Sequence, residues 1–135
     1  MRESSSRRFD RRPASVAAAR RFTRDALVKL HIEESETTVL LVSELVTNAV
    51  RYGLGSILVT LALHGELLRC EVSDANSVAP CLKEAAVDDE SGRGMHMVYT
   101  LSHRCGVRPA LRGKTVWFEL EAAHMVGESD TNFNR

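Results

Sequence analysis

Residues 43–53 read SELVTNAVRYG, and the fold turns on how this stretch is read. With the residues before it, Val39, Val42, Val46, Ala49 and Val50 recur at intervals of three and four, the period of a helix with one apolar side. Ser35 suits the helix start and Gly53 its stop. Glu44 and Asn48 are one turn apart and share a face of this helix. Most such pairs are simply a solvated face. The alternative is chemical. An amide oxygen is a hard, neutral ligand suited to Mg²⁺, which takes few protein groups and completes its shell with phosphate and water oxygens. A carboxylate one turn away could accept a proton from an attacking hydroxyl. The pair alone does not choose between these readings.

Upstream, Pro13 precedes ASVAAARRFTRDALVKL, rich in helix formers, which predicts a first helix over 14–29. Its stripe of Val16, Ala19, Arg20, Phe22, Ala26 and Leu27 is imperfect. Residues 1–6 are polar and expected to fray, with RRF at 7–9 a short edge strand. Downstream, SILVTLAL and LLRCEVSD flank His64-Gly65 as a β-hairpin ending at Asp74. Residues 75–91 contain Pro80 and an acidic cluster and read as a loop, with one short helical turn near 82–87. GRGMHMVYTLSHRC becomes helical, with Met95, Val98, Leu101 and Ser102 on one face. A strand near 104–108, a turn at Gly113 and a last strand over 114–121 follow. Residues 123–135 read as a disordered tail, and residues 11–122 as one domain. Hairpin-joined strands grouped apart from helices predict a two-layer α/β sandwich: a mixed, mostly antiparallel sheet with helices on one face.

Composition narrows the function. The 135 residues carry 18 basic and 18 acidic side chains, so bulk attraction to nucleic acid or an anionic membrane is not expected. Seven arginines, Arg7, Arg8, Arg11, Arg12, Arg20, Arg21 and Arg24, flank and populate the first helix. No helix-turn-helix spacing accompanies them, so a solvated or partner-facing role fits better than DNA binding. No apolar run is long enough for a membrane span, and the N-terminus lacks the apolar core of a secretory signal. Three scattered cysteines without a C-x-x-C argue against zinc and for a cytoplasmic protein with reduced thiols.

Three further motifs carry chemistry. SGRGMHMV, residues 91–98, has two glycines before a helix, where backbone N–H groups can approach an anion and Arg93 can reach a phosphate. It departs from G-x-G-x-x-G because Met97 holds the third glycine position, and no P-loop motif occurs. Asp74 ends an apolar strand and is either a turn former or a hydrogen-bond acceptor for an exocyclic amine. In GKTVWFEL, Thr115, Trp117 and Glu119 share one face, and Val116, Phe118 and Leu120 the other.

In this order and spacing, SELVTNAVRYG, EVSDANS, SGRGMHMVYTLSHRCGV and GKTVWFEL resemble the GHKL ATP-binding superfamily of histidine kinases, DNA gyrase and the ninety-kilodalton heat-shock chaperone. The similarity spans about residues 11–121 and is greatest to the single-domain anti-sigma regulatory factors of the serine-kinase type. The resemblance implies ATP and Mg²⁺ as cofactors, Asn48 as the Mg²⁺ ligand and Glu44 as general base. It further implies Asp74 at the adenine amine, Gly92 and Gly94 at the edge of a lid over residues 75–91, Arg93 on phosphate, and Thr115 holding adenine through water. The implied activity is transfer of the γ-phosphoryl group to a serine of an antagonist protein, with a sigma factor sequestered by a homodimer and no direct contact with nucleic acid or membrane. One departure stands out: where the family has D-x-G-x-G, this chain reads DANSVAP, without glycine. That favours, as the competing expectation, a non-catalytic module that sequesters its partner by contact alone.

Overall fold

The computed structural model describes residues 2–33, 35–78 and 90–122, and of residues 2 and 90–94 the backbone alone. The elements run β1 (Arg2–Phe9), α1 (Ala14–Lys29), α2 (Glu36–Tyr52), β2 (Ile57–His64), β3 (Leu67–Asp74), α3 (Glu90–Leu101), β4 (Arg104–Ala110) and β5 (Gly113–Glu121). The five strands form one sheet in the order β1-β2-β3-β5-β4. Each neighbouring pair is antiparallel. The helices cover one face, as the sandwich reading expects.

Alternation dictates the helix-facing side. Ile57, Val59 and Leu61 of β2, Leu68, Cys70 and Val72 of β3, and Val116 and Phe118 of β5 are buried in one core with Leu41, Val42, Leu45 and Val46 of α2. The cross-strand pairs Val59–Val72, Leu61–Cys70, Val72–Val116 and Cys70–Phe118 keep this apolar set in register. Burial pushes the Cys70 thiol up. Phe22 of α1 meets Phe9 of β1 edge to face, with ring centroids 6.1 Å apart.

Helix α2 starts as its sequence predicts: the Ser35 hydroxyl accepts from the Thr38 N–H at 3.2 Å. Its end is different in kind. Gly53 has φ −82°, which any residue adopts, so no left-handed cap is formed. What Gly53 supplies is room, because a Cβ there would lie 2.4 Å from the Ala49 carbonyl oxygen and 2.9 Å from Cγ of Asp74.

Several boundaries differ from expectation. The N-terminal residues pair along the whole of β2, from Arg2–His64 to Phe9–Ile57, so Arg2–Ser6 are strand and not a frayed end. The hairpin turn is Gly65-Glu66, with Gly65 at φ 60°. Strand β4 continues to Ala110. Of the residues expected to share a face of α3, Met95 and Val98 make the core contact and Leu101 is 48% exposed. The predicted helical turn at 82–87, most of the 75–91 loop and the 123–135 tail lie outside the described residues.

The sheet's other face is covered by its own charges. Arg69 lies over the Trp117 ring, 3.9 Å from its centroid, and bonds Glu71 at 2.8 Å and Glu119 at 3.1 Å. Arg104 bonds Glu119 at 2.7 Å. Burial opposes the charge on Glu119, but hydrogen bonds from Arg104 and Arg69 outweigh it and hold this carboxyl below the usual carboxylate range. Burial likewise opposes the charge on Glu71, and Arg69 and Arg108 overcome it in the same direction.

Candidate functional site

The α2 helix is buried on most of its circumference. Thr38, Val39, Leu41, Val42, Ser43, Leu45, Val46 and Ala49 are all enclosed. Glu44, Thr47 and Asn48 are half-buried on the opposite arc, at helical spacing beside the exposed Thr37, Leu40 and Arg51. Among the described residues, no hydrogen bond or ion pair engages the side chain of Glu44 or Asn48. Polar groups so placed are available to a ligand.

The end of β3 is stitched to the end of this helix. Ala75 N–H donates to the Leu54 carbonyl at 2.8 Å, and Asn76 Nδ2 donates to the Tyr52 carbonyl at 2.6 Å. Asn76 N–H donates to Oδ1 of Asp74 at 2.7 Å, and Val78 N–H to Oδ1 of Asn76 at 3.0 Å. These bonds account for the glycine-free DANS segment. Among the described non-glycine residues, positive φ occurs at His31 and not at Asn76. An Asn with ordinary backbone angles thus closes the corner through its side chain, where a glycine would do so through conformational freedom.

The end of β3 thus meets the end of α2 one turn beyond Asn48, but Asp74 is not an open acceptor. Lys114 is its cross-strand partner in β5. The Lys114 ammonium donates to Asp74 Oδ1 at 3.2 Å, to Oδ2 at 3.1 Å and to the Asn76 carbonyl at 3.0 Å. The two side chains are 5% and 3% exposed.

Thr115 faces away from the helices. It pairs with Ser73, and their hydroxyls are 2.7 Å apart on the side of Trp117, opposite the helices. The register places Lys114, one residue earlier, beside Asp74; a shift of one residue in a strand reverses the face. The glycines also move. Gly92, Arg93 and Gly94 lie within the first turns of α3, which begins at Glu90, rather than before it. Their helix packs on α2 and buries Met95 and Val98 in the core.

Lys114 and Asn76 are the participants that the sequence reading missed. A signal for Lys114 existed: it has the same parity in β5 as Val116 and Phe118, so alternation alone aims it at the core.

The model of the histidine kinase-like ATPase domain matches residues 9–120. The chain belongs to that family. The match covers the four motifs and bears out their GHKL resemblance. No curated protein matches the chain. Among solved structures, that of the RsbU and RsbW domains of Rv1364c from Mycobacterium tuberculosis is similar, with TM-score 0.68 and 21% identity. The likeness covers 92% of this chain and 34% of that one, and at this identity it speaks for the fold.

The family implies ATP binding, and the residues present fit that group unevenly. On α2, a half-buried amide and carboxylate without partners among the described residues suit a hard cation and a proton acceptor. The Asp74 carboxylate, by contrast, is already ion-paired with Lys114. Among the described residues, no helix is long and apolar enough to cross a membrane.

Proposed function

We propose that this chain is an ATP-binding regulator of the anti-sigma type. It transfers the γ-phosphoryl group of Mg-ATP to a serine of an antagonist protein and, as a homodimer, sequesters a sigma factor. The observation that carries this reading is the half-buried Glu44 and Asn48 on one face of α2, neither with a hydrogen bond or ion pair among the described residues, in a chain of the ATPase-domain family.

Asn48 would hold the cation through its amide oxygen, and the cation when bound supplies neutralisation of phosphate charge. Glu44 would orient the partner's serine hydroxyl and take its proton as the serine oxygen bonds to the γ-phosphorus. The bond from that phosphorus to the β–γ bridging oxygen breaks, and ADP leaves. Gly92, Arg93 and Gly94 would line the phosphates at the start of α3. Phosphorylation adds about −1.5 to −2 charges to the antagonist and releases it, which frees the regulator for the sigma factor.

The test is calorimetry with ATP and Mg²⁺, followed by radiolabel transfer to candidate antagonists. Asn48→Ala should weaken binding far more with Mg²⁺ than without it. Glu44→Gln should still bind but lose about 10²–10⁴-fold in transfer. Undiminished transfer by Glu44→Gln refutes the base assignment. The second reading is a non-catalytic module that sequesters its partner by contact. The Asp74–Lys114 pair favours it, since the base end is filled from within. Absence of any ATP binding would decide for it.

A further inference from the structure

Asp74, which the nucleotide reading puts at the base, is already supplied with a donor. An ammonium has three N–H groups, and Lys114 has three acceptors around it: both oxygens of Asp74 and the carbonyl of Asn76. A carboxylate has about four acceptor directions. The Asn76 N–H takes a second one on Oδ1. What remains is on Oδ2, the oxygen that a single added carbon on Gly53 would approach to 3.1 Å. The surroundings hold the lysine in place. Cross-strand register fixes its Cα opposite that of Asp74, and the chain enters β5 through Gly113, where a Cβ would lie 2.0 Å from the Asp74 carbonyl oxygen.

The competition is unequal. A base's exocyclic amine is neutral and would donate one bond. The lysine donates a charge-assisted bond to each oxygen and neutralises the carboxylate. Displacing it would leave an ammonium to be rehoused from an enclosed site.

We propose that Lys114 is a specificity-determining residue: by satisfying Asp74 from within the chain, it withdraws that carboxylate from reading the 6-amino group of a purine. The inference rests on the nucleotide reading above and adds that the cleft selects for the triphosphate and cation more than for adenine. Adenine and hypoxanthine nucleotides, which differ at that amine, are then held about equally.

The test is the affinity of the full chain for Mg-ATP and Mg-ITP, measured by calorimetry. For the natural sequence the two dissociation constants should agree within about threefold. Lys114→Met removes the donors, keeps the volume and exposes Asp74 to the base. It should favour ATP over ITP by about tenfold or more, the size of one hydrogen bond to a charged acceptor. A tenfold ATP preference in the natural sequence overturns the inference without any variant, so a Lys114→Met chain that fails to fold does not shield it. An unchanged ratio in a folded Lys114→Met chain overturns it as well. Either result leaves nucleotide binding standing. If the natural sequence binds neither nucleotide, the nucleotide reading and this inference fall together.

Discussion

Replacing Gly53 with alanine isolates the role of space at the helix-to-strand junction. Gly53 has φ −82°, so alanine meets no conformational penalty there. Elsewhere such a change stabilises by about 0.4–1 kcal/mol, because the unfolded chain loses freedom. Here the added carbon would sit 2.4 Å from the Ala49 oxygen and 2.9 Å from Asp74 Cγ. Both are well inside van der Waals contact. The first is backbone, and the second belongs to a carboxylate fixed by Lys114 and Asn76. Neither can swing away as the end of a flexible side chain would. Overpacking of this kind costs about 1–3 kcal/mol, so the net expectation is a loss of about 1–2 kcal/mol. Urea denaturation at pH 7 should show a lower midpoint with an unchanged slope. Gly65→Ala is the contrasting case. No atom lies within 4 Å of its added carbon, but its φ of 60° disfavours a side chain, at about 1–2 kcal/mol. Asparagine, which tolerates that conformation, should rescue position 65 but not position 53. A Gly53→Ala chain as stable as the natural one, or more so, would refute the steric account.

Two further outcomes follow from the sheet. Glu71 and Glu119 have folded-state values held below the usual carboxylate range, so they stabilise the fold above about pH 4.5 and lose that contribution as pH falls through the lowered values. Denaturation midpoints should therefore be flat from pH 7 to about 5 and drop below it, and Glu119→Gln should shrink the drop. Phe118→Ala empties the centre of the core at a side chain with 0% exposure and should cost about 3–5 kcal/mol, read from the same urea transition.

The helices were legible because their signals are local. Ser35, the three-and-four spacing of α2 and its glycine stop lie within one stretch, and the first helix needs nothing beyond its own residues. Hairpin alternation likewise placed β2 and β3. What stayed hidden is set by partners distant in sequence. Arg2–Ser6 carry no apolar alternation and become strand by pairing with β2. The Asp74–Lys114 pair joins positions 40 residues apart, and motif matching drew attention to Thr115 next door. Of the candidate site, Glu44 and Asn48 were readable as a shared face, but the occupied state of Asp74 required the register of β5 against β3. The covering of Trp117 and Glu119 depends on arginines from two other strands in the same way.

The polarity that concealed the extent of β1 has a use of its own. A sheet's outermost strand bears unsatisfied peptide groups along one side and would readily template growth by further chains. In RESSSRRF, serines and ions fill a segment with one aromatic anchor, Phe9, pointing inward. Such a border offers little to a neighbouring ribbon, and so this rim resists fibril-like stacking while still completing the layer beneath it.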